Sequence, residues 1–164
     1  MNIIVSPEEI REYERWEPLA VVDAVIKATE AADDVLGEAD VLVQPVNRCP
    51  QASGVALSQK AFDVVRIAVW TWEPDEDADD EDDDDYEIER VLSPNDYELT
   101  AERFTVRLKP GLHFDGRAEI TYLPWEQTAR RAEGIRLLAY EILQTGSNGE
   151  TVPDEDRERI LRGA

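Results

Sequence analysis

Apolar residues recur every three or four positions in three stretches of this chain, and every second position in several others. The first helical stretch opens at Ser6-Pro7-Glu8-Glu9. Ser6 stands where an N-cap belongs, Pro7 suits the first helical position, and Glu9 completes a capping box. Ile10 and Tyr13 lie on one side of this helix, which is predicted to stop before Pro18. A second helix is predicted over 18–36, where Leu19, Val22, Val25, Ile26, Ala32, Val35 and Leu36 repeat at spacings of three and four. Gly37 is placed to end it.

From 38 to 60 the pattern weakens. Pro45, Pro50 and Gly54 imply a loop-rich connection, with room for a short helical or strand piece at 41–43. Residues 62–72 (FDVVRIAVWTW) are β-branched and aromatic and read as a strand, with a helix over 56–70 as the alternative. Shorter strands are predicted at 86–92, 96–100, 103–108 and 117–123, joined by turns at Ser93-Pro94-Asn95-Asp96 and Lys109-Pro110-Gly111. Alternation is clearest in Phe104, Val106, Leu108 and in Ala118, Ile120, Tyr122. Pro124 breaks the last strand. The third helix follows over 125–144, burying Ala129, Ala132, Ile135, Leu138, Ala139 and Ile142, with Gly134 in its middle. The ending DEDRERILRGA is a short helix at most. The expected fold is therefore α+β and mainly helical: two N-terminal helices, a small antiparallel β-region, a long helix and a C-terminal tail. Residues 1–145 form the expected core domain and 146–164 a flexible arm.

Charge changes this picture in one place. Thirteen acidic residues and no base lie between Glu73 and Glu89, in a chain of 164 residues with a net charge of −21. Carboxylates at that density repel and need water or cations, so 73–89 reads as a solvated loop inserted between strands. Three lysines stand against fourteen arginines. Low lysine and excess acid fit a protein from a very salty cytoplasm, where salt screens repulsion to a few ångströms. So acidic a chain lacks the basic face needed to wrap nucleic acid.

Candidate chemistry is sparse. His113 is the only histidine, with Asp115 two residues on, and reads as a turn residue. Cys49, beside Arg48, is the only thiol, so there is no internal disulfide and no second ligand for a zinc site. The acidic run has no Gly at the sixth position of any calcium-loop register. Lys109-Pro110-Gly111 is a turn and not a phosphate cradle. No catalytic residue, cofactor or bound metal is expected. No apolar run reaches the roughly 20 residues of a membrane span, and the N-terminus has no basic region before an apolar core, so neither a membrane anchor nor a signal peptide is expected. The clearest cluster is C-terminal. Arg157, Arg159 and Arg162 accompany Ile160 and Leu161 in an otherwise acidic chain, and read as a partner-binding arm.

The opening Val5-Ser6-Pro7-Glu8-Glu9-Ile10, the segment Ser93-Pro94-Asn95-Asp96-Tyr97-Glu98-Leu99, the strand 103–108 before Lys109-Pro110-Gly111, and Glu119-Ile120-Thr121-Tyr122 before the last long helix together resemble the head–tail adaptor (connector) proteins of tailed phages and archaeal tailed viruses. The motifs are short, and their order carries the resemblance. It departs from the family in two places. Leu36-Gly37-Glu38 stands where a Thr-Gly-Arg-like turn is common, and the acidic insertion is extra. The resemblance implies a structural, non-enzymatic virion neck protein made in the host cytoplasm. Such proteins form a ring, commonly of twelve copies, between the portal and the next neck or tail protein, and DNA passes through the channel without specific binding. Ring formation would cover apolar residues such as some of Trp16, Trp70, Trp72 and Trp125; ordinary monomer core is the alternative. An acidic DNA mimic and an unrelated cytoplasmic binding domain of a halophile are the competing readings.

Overall fold

A computed structural model describes residues 2–46, 54–73, 86–109 and 117–163; the side chains of 71–73, 86 and 87 are not described. The chain divides into two compact units, one of residues 1–40 and 126–164 and one of residues 41–125. The first is helical and the second is built of β-strands. The division runs through the expected 1–145 domain rather than at residue 146.

In the helical unit the expected first helix is absent. Residues Pro7–Glu9 and Tyr13–Arg15 are single 3₁₀ turns. The start signal is real, since the Ser6 N–H donates to the Glu9 carboxylate at 2.6 Å. Nothing continues it. Ile10 leaves in an extended conformation, and Glu12 is left-handed at φ 56°. A helix here would carry Ile10 and Tyr13 against six charged side chains, which is too narrow an apolar stripe to hold. The chain instead buries Val5 and Ile10, each 1% exposed, as separate plugs.

Helix α1 (Pro18–Leu36) starts on Pro18 and ends at Gly37, which takes φ 80°. Its buried face is not the one the large apolar residues suggest. Val21, Ala24, Val25, Ala28, Thr29, Ala31 and Ala32 face inward, while Leu19 is 83% exposed and Val22 39%. Small residues let neighbouring backbone come close, and the one buried hydroxyl is satisfied, Thr29 Oγ1 donating to the Val25 carbonyl at 2.7 Å. Helix α2 (Trp125–Ser147) buries Ala132, Ile135, Leu138, Ala139 and Leu143. Its Arg131 reaches the far end of α1, donating to Asp33 Oδ1 and to the Gly37 carbonyl, both at 2.6 Å. That closes a helix C-terminus whose carbonyls lack intrahelical donors.

Helix α3 (Asp154–Gly163) has acids in its first turn and Arg162 in its last, as the helix dipole favours. It docks through Leu161, which is 4% exposed, onto α2 at Gly134. An added Cβ at Gly134 would meet Leu161 at 3.5–3.6 Å, ordinary contact distance. Gly134→Ala is therefore expected to raise stability by about 0.5–1 kcal/mol through helix propensity. A measured loss in urea unfolding would show that the two helices need the bare glycine.

The β unit is larger than a small β-region. Seven strands form two antiparallel sheets among the described residues: β1 (Leu42–Val46), β7 (Ala118–Pro124), β3 (Ala61–Glu73) and β4 (Tyr86–Val91) in that order, and β2 (Val55–Ala56), β6 (Thr105–Leu108) and β5 (Tyr97–Leu99). The fold is thus α+β, with more helix than strand among the described residues, but it is not entered by two helices. The residues from 61 on form strands close to the expected positions, and the helix alternative over 56–70 is excluded by the pairing of β3 with β7 and β4. Ile67 opposes Ile120, and Val69 opposes Ala118. These side chains share one core with Val55 and Val106 of the second sheet. Tyr122 is fully buried, but its hydroxyl meets Ser58 Oγ at 3.0 Å and the Gln59 N–H at 3.3 Å. Gln44 of β1 ties in the second sheet's entry, donating to the Ala56 carbonyl at 2.9 Å and accepting from Ser58 N–H at 2.8 Å. β1 tolerates Pro45 because, among the described residues, it pairs on one side only, with β7. Glu73 and Glu89, at the ends of the acidic run, belong to the paired strands β3 and β4. The run's middle, 74–85, lies outside the described residues, as do Cys49, His113, Asp115 and the turn at Pro110-Gly111.

Candidate partner-binding groove

The five C-terminal residues singled out in the sequence do not form one surface. Consecutive helical residues point about 100° apart, so a run of them cannot share a face. Leu161 belongs to the core of the helical unit. Arg162 is spent on its own unit, Nε donating to Glu158 at 2.9 Å and Nη2 to the Val35 carbonyl at 3.1 Å. Arg157 is half-buried on another side of α3, its Nε enclosed with no hydrogen-bond partner. Arg159, paired with Asp156 at 3.2 Å, and half-buried Ile160 remain on one edge.

That edge borders an open groove of about 720 Å³ between the N-terminal segment, α2 and α3. Leu137, half-exposed, and Tyr140 from α2 and Ile160 from α3 give it apolar surface; Arg11, Arg136 and Arg159 give it cations. Glu9, Glu133 and Glu141 lie among them, and Arg136 stands 3.6 Å from Glu9. Tyr140 is held from several directions. Trp16 meets it edge-on at 5.8 Å, the Arg11 guanidinium lies 5.6 Å from its ring centre, and Gln144 Nε2 donates to its hydroxyl at 2.6 Å. A fixed ring beside an exposed leucine costs little entropy to use as a contact platform.

Nothing in the sequence pattern brings Leu137, Tyr140, Arg11 and Arg136 together. The usable signal was Leu137, a large apolar residue on the polar side of α2.

The electrostatics do not mark an acid–base pair. The exposed Glu12 carboxyl is held below its usual range chiefly by its hydrogen bond to Arg15, whose own pKa is raised by the same bond. The Tyr97 phenol is pushed up by partial burial and then by the charge of Asp63. Neither shift lies beside a nucleophile. Among the described residues no three His, Cys, Asp or Glu side chains gather as a metal site, and no helix is long and apolar enough to cross a membrane. The arrangement is suited to binding: apolar centre, charged rim, rigid aromatic.

No known protein-family model matches the chain, and no curated protein sequence matches it.

Proposed function

We propose that this chain is a structural neck protein of a tailed virus of a halophilic host, an adaptor that assembles into a ring between the portal and the next neck or tail protein at the head–tail junction. The groove bordered by Leu137, Tyr140 and Ile160 carries the reading, because it offers a docking surface with mixed apolar and charged character. The ordered motifs of β5, β6 and β7 leading straight into α2 support the same reading, and so does the excess of acid, which suits a salty cytoplasm. In this role the groove receives a segment of the portal protein. Leu137 and Ile160 bury its apolar side chains, and Arg11, Arg136 and Arg159 meet its carboxylates.

The double variant Leu137→Asp with Ile160→Asp tests this directly. Binding to the purified portal protein of the same virus should fall by at least about tenfold, since two apolar contacts are lost and two charges enter the interface. Binding at wild-type strength by a folded double variant would rule the groove out.

A further inference from the structure

The charge of the chain is unevenly shared between its units. The helical unit holds 19 acidic and 9 basic residues, a net −10. The β unit holds 19 acidic and 8 basic residues, but 13 of its acids fall between Glu73 and Glu89. The rest of that unit has 6 acids against 8 bases, a net +2.

Two of these bases converge on one ring. Lys60 Nζ lies 4.2 Å from the centre of the Trp125 ring, and Arg103 Cζ lies 5.0 Å from it. Phe62 packs on the same tryptophan, 5.5 Å between centres. Arg103 is held at both ends. Its backbone is left-handed at φ 64°, fixed by Arg103 N–H to the Thr100 carbonyl at 2.9 Å and Ala61 N–H to the Arg103 carbonyl at 2.8 Å. Its guanidinium donates through Nη1 to the Phe62 carbonyl. Neither Lys60 nor Arg103 is in an ion pair among the described residues, in a chain with 38 carboxylates. A guanidinium fork has five donors, and among the described residues the one acceptor this one meets is the Phe62 carbonyl. The aromatic base excludes water from one side, which strengthens a charged contact made there.

We propose that the Lys60–Trp125–Arg103 cluster is a contact site for carboxylates on the helical unit of a second copy of this chain. This deepens the ring reading above and rests on it. The start of α1 offers a matching surface. Exposed Glu14 and Glu17 precede Leu19, which is 83% exposed, and Val22, which is 39% exposed. The carboxylates meet Lys60 and Arg103, and Leu19 meets Trp125 and Phe62. The contact joins two different patches, so repetition from copy to copy closes a ring when the rotation allows. A left-handed Arg103, where glycine would be less strained, is then explained by what its side chain must hold.

The test is the assembled mass of the full chain by sedimentation velocity in about 1 M KCl, where the Debye length is about 3 Å and only contact pairs keep their force. Lys60→Glu and Glu17→Lys, which lie on different units, are each expected to raise the concentration needed for assembly at least about tenfold; the pair combined should restore it. Lys60→Arg should assemble as wild type, and a melt of each variant checks folding. A chain with 75–85 replaced by a Gly/Ser linker should still assemble; loss there would make the acidic run the occupant and overturn the proposal. Unaltered assembly by Lys60→Glu, or no restoration in the charge swap, overturns it while leaving the ring reading standing. A wild-type chain that stays single overturns both.

Discussion

Replacing Gly54 by alanine should destabilise the β unit by about 2–4 kcal/mol, a large share of the roughly 5–15 kcal/mol that holds a domain folded. Gly54 has φ +80°, which itself costs an L-residue about 1–2 kcal/mol. The added Cβ would also sit 2.6 Å from the Val106 carbonyl oxygen and 3.1 Å from Thr105 Cγ2. The carbonyl is backbone in the middle of β6 and cannot swing aside as a side chain can. Relief requires β2 to part from β6, and with it the pairing of Val55 with Val106 inside the core. Denaturant unfolding followed by tryptophan emission reads the loss. Gly149→Ala is the control. That glycine has φ +74° but nothing within 4 Å of the added atom, so only the backbone cost of about 1–2 kcal/mol is expected. Equal losses at the two sites would show that β2 and β6 do not approach as described.

Leu161→Ala should cost the helical unit about 2–4 kcal/mol. Its side chain is 4% exposed and packs at the bare backbone of Gly134, so truncation leaves a cavity between α2 and α3. Amides in α3 should then exchange far faster with solvent, while those in the middle of α2 speed up only in step with the loss of global stability. Ile160→Ala, at a half-buried site, should lose about 1 kcal/mol or less. If the two substitutions cost the same, α3 is a tail and not a packed helix. The contrast also decides how partner binding is best tested. Deleting 153–164 removes part of a core along with the groove's edge, whereas substitutions at Leu137 and Ile160 leave Leu161 in place.

The β-strands from residue 61 on were legible because alternation and β-branching both mark them and turns separate them. β1 and β2 were not. β1 carries Pro45, which edge position permits, and β2 has two residues, too few to show a period. The N-terminal segment misled because Ser6 and Glu9 supply a helix start without an apolar face to sustain it. On α1 the eye follows Leu19 and Val22, but close packing selected the alanine side instead. The groove was half legible. Arg159 and Ile160 stood out by composition, while Tyr140, Arg11 and Arg136 come together only when three separated segments fold onto each other. The Trp125 cluster was invisible for the same reason, since Lys60, Arg103 and Trp125 are far apart in the chain.

A chain that worked by assembling and docking would form a defined oligomer on its own. The direct measurement is the native mass of the unmodified chain in molar KCl. A ring former should run as a discrete closed species of many copies of the 18.6 kDa chain, with no open series of larger forms. A single 18.6 kDa species at every concentration, from micromolar upward, would contradict it.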